Sequence, residues 1–347
     1  MSISKLNIRS FFELSSKIPI LDVRSPSEFA HAHIPGAISL PLFNDEERKE
    51  IGTAYKQQSR ETAIKIGLKA FGPKLLSLVE AVEQLPPLNE NRQVRLHCWR
   101  GGMRSGAVAW LLDLYGYKVH LLAGGYKSYR HHVLDLLSRN YKLKVLGGCT
   151  GGNKTGLLHA MRKEGHRVID LEGLAGHKGS AFGNILQIPQ PSQEHFENLL
   201  AEELQELSSS DSPIWVEAES QRIGQINLPL HFFNQMRAAP LLFLDVPFEA
   251  RLKHILEGYG SYDKDKMINA IIRIKKKLGG LETKNAINAL VEDDPETCFR
   301  VLLLYYDKLY LKSLKGNENP QRTVETISSS TTDAGENLKK VLAQNYV

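Results

Sequence analysis

Val94-Arg95-Leu96-His97-Cys98-Trp99-Arg100-Gly101-Gly102-Met103-Arg104-Ser105-Gly106-Ala107-Val108-Ala109-Trp110-Leu111-Leu112 is the stretch that decides the fold. An apolar-leaning run reaches His97. A short loop then holds one cysteine, two glycines and two arginines, and an apolar run follows. That order predicts strand, tight loop, helix. Backbone N–H groups of such a loop converge at the helix N-terminus and form an anion cradle. The helix dipole, with Arg100 and Arg104, lowers a thiol pKa and favours the thiolate. A nucleophilic Cys98 facing an anion pocket of Arg100, Gly101, Gly102 and Arg104 points to chemistry on a phosphate, sulfur or selenium group. The plainer alternative, a buried structural cysteine, leaves two arginines and a Gly-Gly pair unexplained.

The same alternation continues on both sides. Residues 18–23 (IPILDV) form a short apolar run of strand type, and Arg24-Ser25-Pro26 turns the chain into a helix start. A further strand is expected near Ile38, and another at residues 118–123, closed by Gly124-Gly125. Strands alternating with helices imply a parallel α/β sheet, whose ligands sit at the C-terminal ends of its strands. Cys98 lies at such an end.

A second strand–loop–helix begins at residue 141. The run YKLKVL enters Gly147-Gly148-Cys149-Thr150-Gly151-Gly152-Asn153-Lys154-Thr155, and a helical segment follows. This is nearly the phosphate-binding loop G-x4-G-K-[ST]. Gly148, Thr150, Gly151 and Gly152 supply backbone to wrap a polyphosphate. Lys154 reaches its outer charge, and Thr155 is placed to bind Mg²⁺. The second glycine of the pattern is replaced by Asn153, and Asn is the residue after Gly best able to take a positive φ. Further on, residues 211–220 read as a strand ending in Glu217 and Glu219, candidate acids for the same site, with a solvated strand end as the alternative. Residues 241–246 add another core strand. Arg273, Lys275, Lys276 and Lys277 make a basic patch on an expected helix, either a solvated face or a contact to a phosphate backbone.

A length of 347 residues suggests two domains. The formal charge of +5 permits nucleic-acid binding without requiring it. Three cysteines make no even disulfide framework, which fits a reducing cytoplasm. No run of 18 apolar residues is present, so no membrane span is expected. No cluster with metal-ligand spacing stands out, and no cofactor is firmly expected beyond Mg²⁺ as an option at the P-loop.

Three segments resemble the rhodanese superfamily: LDVRSPSEFAHAHIPGAISLP at residues 21–41, the Cys98 loop, and LLAGGY at residues 121–126. The resemblance implies a rhodanese-like parallel-sheet domain over residues 14–137, with Cys98 carrying sulfur or a related element. The loop, with Arg104 six positions after Cys98, is one residue longer than that of sulfur-carrying rhodaneses. HCWRGGMRS therefore also fits the tyrosine-phosphatase pattern H-C-x5-R-[ST]. A phosphatase needs a general acid, and Asp45, Glu46 and Glu47 are placed for that role without one standing out.

A rhodanese-like domain followed by a P-loop domain resembles the tRNA 2-selenouridine synthase family. Residues 41–68, 170–183 and 190–193, the segment WVEAES at 215–220, and RIKKKLGG at 273–280 add to the match, which spans about residues 10–310. Asn153 departs from the family pattern, as does Lys178, where an arginine is expected. The resemblance implies an α/β P-loop nucleotide-hydrolase-like domain over 141–310; the C-terminal extension over 311–347 turns polar and Ser/Thr-rich and is expected to end that domain loosely, with residues 323–327 as an alternative last strand. The resemblance further implies replacement of sulfur by selenium at the wobble 5-methylaminomethyl-2-thiouridine of Lys-, Glu- and Gln-type tRNAs. Selenophosphate would bind at Arg100, Gly101, Gly102 and Arg104, with selenium passing to Cys98 as a selenyl-sulfide. Geranyl diphosphate would occupy the P-loop to make an S-geranyl intermediate. The competing expectation is a rhodanese-fold phosphatase or sulfurtransferase with an anion-sensing P-loop domain.

Overall fold

The computed structural model describes residues 2–85, 92–177, 189–208, 211–259, 263–315 and 322–343. Lys178 lies outside the described residues. The chain divides into two compact units, Met1–Leu136 with Glu197–Glu202, and Leu137–Phe196 with Glu203–Val347.

The first unit is built on β1 (Ile3–Leu6), β2 (Ile20–Asp22), β3 (Ile38–Ser39), β4 (Gln93–His97) and β5 (Lys118–Leu122), in the order β1-β5-β4-β2-β3. Every neighbouring pair is parallel. The central β4 is buried from Val94 to His97, as a strand covered on both faces requires. Leu21, Leu96, Val108, Leu112 and Val119 join in one core that spans the sheet and the helix Met103–Leu114. Strand β1 was not among the expected elements. Its ISKL sequence is only half apolar, and it is held as an edge strand by backbone bonds to β5. The helix Asp45–Gln57 starts at a capping box in which Asn44 accepts from the Glu47 N–H and Glu47 returns to the Asn44 N–H.

The second unit carries β6 (Leu143–Gly147), β7 (Val168–Ile169), β8 (Ile214–Glu217), β11 (Leu241–Asp245) and β12 (Val324–Ser328), in the order β12-β11-β6-β8-β7 and all parallel. A small antiparallel pair, β9 (Arg222–Ile223) and β10 (Ile226–Asn227), stands apart from that sheet. Both parallel α/β sheets follow the sequence expectation.

The chain after residue 310 is part of this fold, and the last strand offered by residues 323–327 is present as β12. The helix Pro295–Lys315 crosses the expected boundary. Strand β12 pairs with β11 over five residues, and Leu338 and Val341 enter the core formed by Leu157, Leu158 and Met161. The segment reads as polar because β12 is an edge strand in which Ile327 alone is buried. Among the described residues, no helix is long and apolar enough to cross a membrane.

Candidate active sites

In the first unit, β4 delivers Cys98 at its C-terminal end, and the loop turns directly into the helix Met103–Leu114. Cys98 is 3% exposed, and its Sγ lies 3.2 Å from the Ser105 hydroxyl. Burial alone would raise the thiol. The Ser105 side chain and backbone, the Gly102 backbone and the Arg104 charge outweigh it and bring the pKa below the ordinary 9.0. The loop keeps its shape against its neighbour. Gly101 has φ +63° and Gly125 φ +60°; a Cβ on Gly125 would stand 2.2 Å from the Cys98 carbonyl oxygen. The Tyr126 N–H donates to that carbonyl at 2.8 Å, and the Lys127 N–H to the Trp99 carbonyl at 2.9 Å. Gly124-Gly125, expected only to end β5, thus forms a clamp on the reactive loop.

The loop's arginines differ. Arg100 is exposed. Arg104 is part-buried and bound to Glu28, with NH1 to Oε2 at 2.6 Å and NH2 to Oε1 at 3.3 Å. A guanidinium carries five N–H donors, so this pair orients Arg104 without exhausting it. Deeper down, Arg24 grips Asp22 with bonds of 2.6–2.9 Å and lies 3.8 Å over the Tyr126 ring. His97 is fully buried, and burial pushes its pKa down to about 4, so it is neutral at physiological pH. Two of the carboxylates considered as phosphatase acids, Asp45 and Glu47, are engaged elsewhere. Asp45 accepts from the Ser27 N–H and hydroxyl, while Glu47 pairs with Lys74 and caps its own helix.

In the second unit, the loop after β6 leads into the helix Lys154–Lys163. Asn153 adopts φ 57°, ψ 40°, the left-handed conformation that a glycine would take, and its side-chain amide donates to the Thr332 carbonyl at 2.9 Å. Lys154 Nζ donates to the Gly148 carbonyl at 3.0 Å, inside the loop it is to serve. Gly148 and Gly151 both have positive φ, and their missing side chains admit Leu244 and Ile255. The Thr150 carbonyl accepts from Arg251, which is itself bidentate to Asp307. Cys149 in this loop is no counterpart of Cys98. Burial, then the charge of Asp307, pushes its thiol up to about 11.

Glu217 and Glu219 do meet this loop, and the structure adds a third acid that sequence reading missed. Ligand oxygens of Glu172, Glu217 and Glu219 lie within 4.8 Å of one another. Thr155 Oγ1 donates to Glu172 at 3.2 Å. Glu217 is 1% exposed, with no hydrogen-bond partner on either carboxylate oxygen. Burial, then the charges of Glu172 and Glu219, raises its pKa well above the ordinary value; burial and Glu172 bring Glu219 to about 7. No such cluster stands out in the sequence spacing, because the end of β8 and the helix Leu171–Ala175 bring together acids far apart in sequence. Hard oxygen donors beside a P-loop threonine fit Mg²⁺.

These groups line a cleft of about 900 Å³. Its lining also includes the apolar and aromatic side chains of Phe233, Met236, Phe299, Leu303 and Tyr306. The basic residues Arg273, Lys275, Lys276 and Lys277 are exposed on the helix Lys264–Leu278 and lie outside this cleft's lining.

Two family models match the chain. The tRNA 2-selenouridine synthase AAA domain covers residues 141–332, and the rhodanese-like domain covers residues 12–132. Curated relatives extend over both. A tRNA 2-selenouridine synthase of Nitrosomonas europaea is 35% identical, covering 86% of this chain and 89% of its own. The chain belongs to the tRNA 2-selenouridine synthase family. The synthases of Bdellovibrio bacteriovorus, at 32% identity over 86% of this chain and 89% of theirs, and of Hydrogenovibrio crunogenus, at 35% over 84% and 88%, agree. Among solved structures, a gluconokinase from Sinorhizobium meliloti 1021 is 15% identical with a TM-score of 0.28, covering 59% of this chain and 92% of its own, too remote to bear on activity. In this member of the tRNA 2-selenouridine synthase family, the Cys98 loop lies within the rhodanese-like match and the P-loop within the AAA-domain match.

Proposed function

We propose that the protein replaces the sulfur of wobble 5-methylaminomethyl-2-thiouridine in Lys-, Glu- and Gln-type tRNAs with selenium from selenophosphate, working at two sites. In the second unit, the 2-thiouridine sulfur is alkylated by geranyl diphosphate. In the first, selenium displaces the alkylated sulfur. Alkylation helps because a thiolate expelled from carbon is a better leaving group than the sulfur of a thiocarbonyl.

The observation that carries this reading is the mixed lining of the cleft. Gly148, Thr150, Gly151, Asn153, Lys154 and Thr155, with the Gly152 backbone in the same loop, would take a diphosphate, and the apolar and aromatic side chains of the lining would take a hydrocarbon chain. A prenyl diphosphate would use both kinds of lining. Lys154 stabilises the charge that builds on the departing pyrophosphate. Glu172, Glu217 and Glu219 with Thr155 would hold Mg²⁺, which supplies further charge neutralisation to the diphosphate when bound. In the first unit, Arg100, Arg104 and the backbone of Gly101 and Gly102 receive the selenophosphate anion, with the Cys98 thiolate beneath it. The exposed Arg273, Lys275, Lys276 and Lys277 fit contacts to tRNA phosphates.

The deciding test is mass spectrometry of nucleosides from tRNA of cells with and without the protein. The reading requires 2-selenouridine to vanish on deletion and S-geranyl-2-thiouridine to accumulate when selenophosphate supply is cut. Unchanged nucleosides in both comparisons would refute it.

A further inference from the structure

The electron count of selenophosphate runs against a selenyl-sulfide on Cys98. If the Cys98 sulfur bonded to selenium and the Se–P bond broke, the bonding pair would leave on phosphorus. Phosphorus(V) would then drop by two electrons to the phosphite level, and neither the site nor the tRNA substrate takes part in such a redox change. Attack on phosphorus has no such difficulty.

We propose that Cys98 is a phosphoryl acceptor: its sulfur attacks the phosphorus of selenophosphate and sets selenide free for the tRNA. The S–P bond forms and the Se–P bond breaks, with the electron pair leaving on selenium. Phosphorus stays at oxidation state V, and nothing is oxidised or reduced. Water then attacks the phosphocysteine, releasing inorganic phosphate and returning the thiol. This step rests on the reading that selenophosphate is the selenium donor.

Three features of the loop suit phosphorus rather than selenium transfer. Arg104 follows Cys98 by six positions, and the loop between them turns at Gly101 with φ +63°, a length and a turn that suit a backbone N–H cradle for a tetrahedral anion. Glu28 holds Arg104 in place from outside, at 2.6 Å, as a fixed pair rather than a swinging side chain. Ser105 stands next to Arg104, with its hydroxyl 3.2 Å from Cys98 Sγ and 3.2 Å from the Gly102 carbonyl. A hydroxyl there can turn its one proton toward sulfur whenever sulfur carries charge. That happens twice in the proposed cycle, before attack and again when sulfur leaves phosphorus. A carrier that passes selenium onward has no second departure from phosphorus to assist. The Gly124-Gly125 clamp keeps this ring rigid while the phosphoryl group is on it.

The test uses the full-length protein with S-geranylated tRNA and selenophosphate labelled separately with radiophosphorus and radioselenium, quenched in acid. The expected result is phosphorus label on Cys98 without selenium label. Ser105→Ala should prolong the adduct by about ten- to a hundredfold, the scale of one hydrogen bond to a charged group. Ser105→Thr, which keeps the hydroxyl, should restore its lifetime; a purely structural role for Ser105 would change stability without this pattern. Selenium label on Cys98 without phosphorus overturns the proposal. So does 2-selenouridine formation with no adduct in either wild type or Ser105→Ala. If no label appears and no 2-selenouridine forms in the wild type, the selenophosphate reading itself fails, which is a separable outcome.

Discussion

The two glycine-rich loops of this protein make an instructive pair. Each leaves the C-terminal end of a parallel strand, contains a cysteine and positive-φ residues, and enters a helix. In the first, hydrogen bonds from Ser105 and Gly102 and the charge of Arg104 bring the thiol down despite burial. In the second, burial and Asp307 push Cys149 up to about 11, and a lysine rather than a sulfur faces the cleft. The fold supplies a glycine-rich turn at a helix N-terminus in both places; the side chains around it decide whether the thiol there is lowered or raised.

The strongest way to break the comparison is to remove each loop's reactive group in turn. Cys98→Ser should lower selenation on the order of 10³-fold or more while S-geranylation of 2-thiouridine continues. Lys154→Ala should lower geranylation on the order of 10²- to 10³-fold, and pre-geranylated tRNA should still be selenated by this variant. Equal loss of both activities in either variant would mean that the two loops serve one reaction. Nucleoside mass spectrometry reads both.

Thiol reactivity sharpens the contrast next. The thiolate fraction rises with pH through each group's pKa, so the lowered Cys98 becomes alkylatable below pH 9.0. Cys149, at about 11, keeps only about a thousandth of its thiol ionised at about pH 8. Iodoacetamide at that pH should modify Cys98 first by peptide mapping, and Ser105→Ala should move the Cys98 midpoint upward. Preferential labelling of Cys149 would reverse the assignment.

Smaller effects test what shapes each loop. Gly125→Ala places a methyl group 2.2 Å from the Cys98 carbonyl oxygen at a positive φ, and should cost ~2 kcal/mol in urea titration with selenation falling and geranylation spared. Asn153→Ala should cost about 1 kcal/mol for the left-handed backbone and the lost bond to Thr332, whereas Asn153→Gly should cost less. If alanine and glycine at 153 behave alike, the backbone conformation is not what selects asparagine.

Both loops were legible because strand, glycines and helix are contiguous, and a contiguous pattern fixes local geometry. What escaped were partners supplied from a distance. Glu28 holds Arg104 from 76 residues away, and Glu172 joins Glu217 and Glu219 from another strand end. Gly124-Gly125 was visible as a turn, yet its wedge against Cys98 depends on β5 lying beside β4. Asn153 was readable as a tolerated substitution because positive φ is a property of one residue. The bond that fixes it to Thr332 is not. The apolar lining of the cleft draws on helices whose sequence reads simply as amphipathic, so its place in the cleft emerges only in three dimensions. The basic patch at 273–277 was expected on a helix and lies on one, fully exposed, where a phosphate contact and a solvated face look the same.

The bond between Asn153 and the Thr332 carbonyl has a consequence for the order in which the protein is made. Domains fold as units from the N-terminus while the ribosome adds roughly 5–20 residues per second. The bulk of the first unit ends at Leu136, but the P-loop waits for β12 and the turn at Thr332 before its shape is fixed. For roughly 10–40 s of each synthesis cycle the nascent chain therefore carries a folded thiol loop without a finished diphosphate cradle. A chain cut short before residue 324 would lack β12 and the bond to Thr332, so on the proposed division of labour it should lose geranylation before selenation.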